Sequence, residues 1–187
     1  MFARTERLLL RPGWREDAPA LLAAIADERI VCNLAQAPWP YRLSDAEAFL
    51  GRERKPHEPS CLIYLRTERE PRLIGGIGVG RLPDAGDALE FGYWLARPFW
   101  GLGYATEAGR ALVANVRDSL RLRRLTAGHF TDNPASGRVL AKLGFRPTGV
   151  TRLRWSAGRR AEAPCREFAL DLAAQEDACP EPCSIAA

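Results

Sequence analysis

The chain has 187 residues, of which 47% are hydrophobic and 27% are charged, and its formal net charge is +4. This length suits one compact domain, and the composition is that of a globular protein rather than a disordered or fibrous one. No apolar run approaches the roughly 20 residues that cross a bilayer, and residues 1–7 lack the pattern of a secretory signal. We therefore expect a soluble cytoplasmic protein with no membrane partner.

The five cysteines and two histidines are scattered along the chain. An odd number of cysteines without a secretion signal indicates reduced thiols rather than a disulfide framework. Cys179 and Cys183 have no histidine nearby, and His57 and His129 are far apart, so no metal site is predicted. The arginine cluster at residues 121–124 is interpreted as a solvated helix end, and no nucleic-acid partner is expected.

Periodicity and turn residues predict the elements of the first half of the chain. A strand covers residues 7–11, an amphipathic helix covers residues 17–30, and a capping box at residues 44–47 begins a short helix that ends near residue 54. Three further strands are predicted at residues 61–66, 73–82 and 89–95. The turn residues 83–86 separate the last two, so the three strands are expected to form an antiparallel meander.

The second half of the chain alternates helices and strands. A helix at residues 106–120 precedes a strand at 125–130, and Asn133 with Pro134 is typical of a helix start. That helix ends at Gly144, a strand begins at Phe145, and the last strand covers residues 166–172. The order β-α-α-β-β-β-α-β-α-β-β predicts an α/β (α+β) fold, in which about four helices flank one mixed, mostly antiparallel sheet. The domain spans residues 1–173, and residues 174–187 are predicted to be a mobile tail.

Residues 90–108 join a strand to a helix through a loop with two glycines. Glycine allows close approach of the backbone to a ligand, and a helix N-terminus offers free N–H groups to a diphosphate. The same arrangement also occurs where glycines serve packing alone. The loop lacks the Gly-Lys-Ser/Thr ending of a P-loop, and the glycines at residues 75–80 lead into a turn, so two other nucleotide motifs are excluded.

Two segments carry a resemblance to a known family. GYWL at residues 92–95 with WGLGYATEA at 100–108 closely resembles the coenzyme A-binding segment of the GNAT superfamily of N-acetyltransferases. AGHFTDNPASGRVLAKLGF at 127–145 resembles the next motif of the superfamily, with the best match to the branch of ribosomal-protein-alanine N-acetyltransferases. A looser likeness extends from Arg4 to about Leu172. The resemblance implies acetyl-CoA as the acetyl donor and a primary amine as the acceptor.

The same resemblance implies which residues bind the coenzyme. One departure is Pro98, where the superfamily often has Gln or Arg, and we expect backbone amides rather than Arg97 to hold the diphosphate. A second departure is Leu140, where many members have a tyrosine that protonates the leaving thiolate. The implied coenzyme-binding residues are Tyr93, Trp94, Leu95, Trp100, Gly101, Leu102, Gly103, Tyr104, Ala105, Thr106, Asn133 and Ser136.

Two side chains are candidates for catalysis. Glu90 shares a strand face with Trp94 and is predicted to accept the proton of the amine, although it could instead only pair with an arginine. Ser136 is the substitute for the missing tyrosine that this branch suggests, although a Ser there could instead only satisfy free N–H groups. A backbone N–H near residues 93–95 is expected to stabilise the oxyanion.

The acceptor is the least determined part of the prediction. Trp39, Tyr41 and Glu90 are candidates to contact it, the two aromatic residues being equally compatible with a core, and loops at residues 34–42 and 152–163 are expected to face it. His129 is interpreted as a core histidine. The leading hypothesis is acetylation of a protein N-terminal amine, and the alternatives are a small-molecule amine or a non-catalytic acyl-CoA-binding sensor. The oligomeric state is left open, with a homodimer as one option.

Overall fold

The computed structural model describes residues 1–53, 55–81 and 89–173. In this part of the chain, eight strands form one sheet and five α-helices pack on it. The strands are β1 (Ala3–Arg4), β2 (Leu8–Arg11), β3 (Ser60–Leu65), β4 (Arg72–Arg81), β5 (Leu89–Leu95), β6 (Arg124–Phe130), β7 (Arg146–Ser156) and β8 (Ala161–Asp171). The helices are α1 (Ala18–Ile25), α2 (Glu28–Val31), α3 (Leu43–Leu50), α4 (Tyr104–Asp118) and α5 (Pro134–Lys142), with 3-10 turns at Arg15–Asp17 and Arg97–Phe99.

The strand order is β1-β2-β3-β4-β5-β6-β8-β7. The pair β5–β6 is parallel, and the other neighbouring pairs are antiparallel. The predicted fold class and the antiparallel meander of β3, β4 and β5 are therefore confirmed. The parallel pair in the middle of the sheet needs a long crossover, which α4 provides.

The two faces of the sheet bury two separate cores. On one face, α4 and α5 cover the larger core; α4 packs Ala108, Leu112 and Val116 inward at the spacing of an amphipathic helix. On the other face, α1 and α3 cover a second core. Successive side chains of β5 point to opposite faces of the sheet and so contribute to both cores. Phe91 lies in the larger core, and Trp94 packs against the second one.

Two predictions about the N-terminal helices are wrong. The helix predicted at residues 17–30 is broken, since α1 ends at Ile25 and Asp27 caps α2 by accepting a hydrogen bond from the Arg29 N–H at 2.9 Å. The predicted capping box is also displaced. Arg42, not Ser44, is the residue that directly precedes α3, and its N–H donates to Asp45 Oδ2 at 2.8 Å. The helix ends at Leu50 rather than near residue 54.

The prediction of a loop at residues 152–163 is also wrong. β7 and β8 form a hairpin there and are paired from Arg152–Cys165 to Ser156–Ala161. β7 is an edge strand that is almost entirely exposed, so its sequence lacks the apolar alternation that would have revealed it. The predicted turn at 83–86 and tail at 174–187 lie outside the described residues. Within those residues, every helix is too short or too polar to span a bilayer.

Candidate active site

A gap opens between β5 and β6 in the middle of the sheet. The two strands pair at Glu90–Thr126 and Phe91–Ala127, and both continue beyond that point. The Ala96 N–H donates to the carbonyl of Ile74 on the β4 side at 2.8 Å. Because amide directions alternate along a strand, the backbone groups of residues 93 and 95 point away from β4, toward the gap. A backbone N–H in this position can donate to a developing oxyanion.

The glycine loop lies at the end of β5 and leads into α4. Gly101 and Gly103 have φ angles of +77° and +84°, which favour glycine, and a Cβ on Gly101 would meet nothing within 4 Å. Gly103 directly precedes α4, a helix of 15 residues whose first N–H groups have no partner within the helix. These backbone donors and the helix dipole fit a diphosphate.

An ion pair from the turn between β1 and β2 holds this loop in place. Arg7 Nε donates to Glu107 Oε2 at 2.7 Å, and Arg7 Nη1 donates to the Leu102 carbonyl at 3.1 Å. The Thr5 hydroxyl and the Arg7 N–H also donate to Glu107 Oε1. Burial acts to raise the pKa of Glu107, but these donors outweigh it and lower that pKa. Arg7 could not be predicted from local sequence patterns, because its partner lies 100 residues away.

Two hydroxyl groups meet on the side of β5 that faces α5. Asn133 caps α5 as predicted, and its Oδ1 accepts from the Ser136 N–H at 3.3 Å. The Tyr93 hydroxyl oxygen lies 3.3 Å from Ser136 Oγ, within hydrogen-bonding distance. Burial raises the pKa of Tyr93, and the bond to Ser136 opposes that shift only in part. Leu140, at the place of the usual tyrosine, is 2% exposed in the larger core.

Glu90 lies on the opposite face of β5 and is paired with Arg154. Arg154 Nη1 contacts Glu90 Oε1 at 2.6 Å, and Nη2 contacts Oε2 at 2.9 Å. The guanidinium reaches across β6 over Gly128, where a Cβ would come within 2.9 Å of Nη1. Burial acts to lower the pKa of Arg154, but the Glu90 carboxylate outweighs it and raises that pKa. Arg154 was not among the predicted site residues, since residues 152–163 were expected to form a loop and Glu90 lies 64 positions away.

A cavity of about 1570 Å³ connects these features. Tyr41 borders it as a buried side chain, and burial, with a contribution from Asp45, raises the pKa of Tyr41 to about 12. The predicted site residues that line the cavity are Tyr41, Glu90, Tyr93, Trp94, Leu95, Trp100, Gly101, Ala105, Asn133 and Ser136.

The remaining predicted residues lie outside the cavity lining. Trp39 packs against the second core, and its carbonyl accepts from Arg160 Nη2 at 3.0 Å. The others belong to the glycine loop and the first turn of α4: Leu102, Gly103, Tyr104 and Thr106. His129 lies at the cavity edge but is 9% exposed, packs against Phe168 and has Nδ1 2.8 Å from the Phe130 carbonyl oxygen, which agrees with a core histidine.

Gly92 leaves open space on one face of β5, a property that its place in the sequence does not reveal. It lies between Glu90 and Trp94 on the same face of β5, and a Cβ added there would meet nothing within 4 Å. The opposite glycine on β4, Gly78, has no such room, because its Cβ would lie 2.8 Å from the Pro59 carbonyl oxygen. The space above Gly92 is therefore open beside the Glu90–Arg154 pair.

Comparison with known proteins agrees with this geometry. The family model for the acetyltransferase (GNAT) domain matches residues 7–146. The uncharacterized N-acetyltransferase YoaA of Bacillus subtilis is 31% identical over 153 residues, covering 79% of this chain and 84% of YoaA. The ribosomal-protein-serine acetyltransferase of Escherichia coli is 35% identical over 77 residues, covering 41% of this chain and 43% of that protein.

A solved structure of the ribosomal alpha-N-protein acetyltransferase RimL in complex with coenzyme A has the same fold. Its TM-score is 0.76 at 18% identity, and the match covers 91% of this chain and 98% of that one. The family model spans most of the chain, including the strand gap, the glycine loop and the start of α5. The chain therefore belongs to the GNAT family of acetyltransferases and is an N-acetyltransferase.

Proposed function

We propose that this enzyme transfers the acetyl group of acetyl-CoA to the N-terminal α-amine of a protein. The observation that carries the proposal is the gap between β5 and β6, with Glu90 on one face of β5 and Ser136 beside the other. The gap lies next to the Gly101 loop at the start of α4. A thioester placed in the gap would thus have a proton acceptor on one side and a donor on the other.

The coenzyme-binding part of the proposal rests on backbone groups. The loop around Gly101 and the start of α4 would hold the diphosphate, and Asn133 and Ser136 would lie beside the pantetheine arm. The N–H groups of residues 93 and 95 would donate to the thioester oxygen as charge develops on it. Arg97 is 51% exposed and lies 3.9 Å from Asp27, so the fit does not depend on its guanidinium.

Glu90 would accept the proton of the acceptor amine. A carboxylate has about four lone-pair sites, so the two bonds to Arg154 leave one on each oxygen for the amine or a water. An α-amine has a pKa of about 7.7–8.0, whereas a lysine amine has one of about 10.4. An α-amine is therefore easier to deprotonate by a carboxylate that is already paired, which supports a protein N-terminus over a lysine side chain.

Ser136 would donate a hydrogen bond to the sulfur when the C–S bond breaks. A serine hydroxyl is too weak an acid to be a proton source by itself. A coenzyme thiol, with a pKa near the roughly 8.5 of a cysteine, leaves readily as a thiolate if a donor stabilises it. Ser136 can thus replace the tyrosine that Leu140 does not provide.

The cavity has room for an acceptor beside the coenzyme. Its volume of about 1570 Å³, which includes the space beside Gly101, Asn133 and Ser136, exceeds the roughly 300–1,000 Å³ of common small-molecule sites. Two of the similar proteins are also named for acetylating ribosomal proteins. A small-molecule amine remains the second candidate, because the same chemistry would serve it.

Thiol release from acetyl-CoA tests the proposal. We expect turnover with peptides that carry a free N-terminus and none with the same peptides after N-terminal acetylation, and mass spectrometry should locate the acetyl group on the α-amine. Glu90→Gln, which can still hydrogen-bond to Arg154, should lower kcat by about 10²- to 10⁴-fold. Turnover of small amines alone would refute the peptide acceptor. Tight coenzyme A binding without thiol release from any amine would refute catalysis and support the acyl-CoA sensor.

A further inference from the structure

The pair formed by Tyr93 and Ser136 brings together two hydroxyls that lie 43 positions apart in the sequence. Tyr93 projects from β5 next to the larger core, and Ser136 is in the first turn of α5. Both line the cavity beside the strand gap. The two hydroxyl oxygens lie 3.3 Å apart, and the phenol, with an ordinary pKa of about 10, is the more acidic group and therefore the better donor of the two.

The direction of this bond decides where the serine proton can point. A serine hydroxyl carries one hydrogen and two acceptor sites. If Ser136 donated to Tyr93, its hydrogen would be turned away from the gap. With the more acidic phenol of Tyr93 as the donor, the Ser136 hydrogen remains available for a group in the gap.

We propose that Tyr93 is a positioning residue, whose hydroxyl orients the Ser136 hydroxyl so that its proton faces the thioester sulfur. This role rests on the acetyl transfer proposed above. The chemistry of the step is unchanged: the C–N bond forms, the C–S bond breaks and the electron pair stays on sulfur. The proton that the amine loses balances the one that the thiol gains, and the Tyr93 hydroxyl is not consumed.

Two further observations support this role. Leu140 is aliphatic and buried in the core, so α5 offers no phenol, whereas β5 supplies one at 3.3 Å from Ser136 Oγ. Burial also raises the pKa of Tyr93, which keeps the phenol protonated and therefore a donor at neutral pH. A tyrosinate would reverse the bond and draw the serine proton away from the sulfur.

A double-mutant cycle tests the role of Tyr93. The variants are Tyr93→Phe, Ser136→Ala and the double variant, each measured for kcat, for KM and for coenzyme A affinity by titration. We expect Tyr93→Phe to lower kcat by about five- to tenfold, the worth of one neutral hydrogen bond, and to change coenzyme A affinity by less than about twofold. In the Ser136→Ala background, Tyr93→Phe should cause no further loss, because the group that it orients is gone.

The matched control is Tyr64→Phe, which also removes a buried phenol oxygen. The Tyr64 hydroxyl accepts from Arg11 Nη2 at 2.6 Å and donates to Asp17 Oδ1 at 2.8 Å, outside the cavity. This variant should lose stability in thermal unfolding but keep kcat. Wild-type kcat in Tyr93→Phe, or an equal loss with and without Ser136, would overturn the positioning role. Absence of thiol release from the wild-type enzyme would instead overturn the acetyl transfer on which that role rests.

Discussion

The open space above Gly92 leads to a prediction in which stability and activity change in opposite directions. Glycine inside a strand costs about 0.5–1 kcal/mol relative to alanine, because more backbone freedom is lost on folding. The Cβ of Gly92→Ala would meet nothing within 4 Å. We therefore expect the free energy of unfolding to rise by up to about 1 kcal/mol, which for a chain of this size raises Tm by about 2–4 °C.

Activity should fall in the same variant. The new methyl group would project into the space between Glu90 and Trp94, where the acceptor amine is proposed to lie. A misplacement of about 1 Å can cost about 10²-fold in rate. We expect Gly92→Ala to lower kcat/KM for the peptide by about 10- to 100-fold. Coenzyme A affinity should stay unchanged, since the pantetheine arm is proposed to lie beside Asn133 and Ser136, on the other face of β5.

The contrast variant is Gly78→Ala, at the position paired with Gly92 in the sheet. Its Cβ would lie 2.8 Å from the Pro59 carbonyl oxygen, so the backbone must shift and Tm should fall. Thermal unfolding, coenzyme A titration and peptide-dependent thiol release on both variants complete the test. A Gly92→Ala enzyme with wild-type kcat/KM would refute the placement of the acceptor above this glycine.

Two further predictions concern the glycine loop and its support. Glu107→Gln should lower the free energy of unfolding at pH 7 by about 1–3 kcal/mol, because charge-assisted bonds are lost. The pKa of Glu107 is lowered by folding, so its contribution is complete above the unfolded pKa of about 4.3 and disappears as the pH falls through the folded pKa. Urea unfolding of both proteins across this pH range measures the difference. Gly101→Ala, at φ +77°, should weaken coenzyme A binding by about tenfold, because a left-handed residue other than glycine costs roughly 1–2 kcal/mol.

Each of these has a defined control. A stability difference between wild type and Glu107→Gln that stays constant down to pH 2 would contradict the assignment of the lowered pKa. For the loop, Gly149 has φ +84° and equally open space, but it lies on the exposed strand β7. Gly149→Ala should bear the same backbone strain and keep coenzyme A affinity. Equal loss of affinity in both variants would show that the strain acts on the fold rather than on the loop.

Local signals in the sequence were sufficient for much of the scaffold. Asn133 and Pro134 predicted the start of α5 correctly, because a helix cap depends on groups within three residues of one another. The alternation in residues 89–95 predicted which side chains of β5 share a face, since that follows from the pleat alone. Apolar spacing gave a wrong prediction at Ala26. The spacing continues through this residue and predicts one helix, although α1 ends before it and α2 begins after it.

The sequence by itself thus determined the order of the elements from β3 to α5, the position of the glycine loop and the face of β5 on which Glu90 lies. The tertiary structure alone decided their partners: Arg154 for Glu90, 64 positions away, and Tyr93 for Ser136. These contacts depend on strand order and register, and a slip of one residue would turn each side chain to the other face. A cap or a pleat is fixed by neighbours along the chain, whereas a pairing across a sheet is fixed only when the whole sheet is assembled.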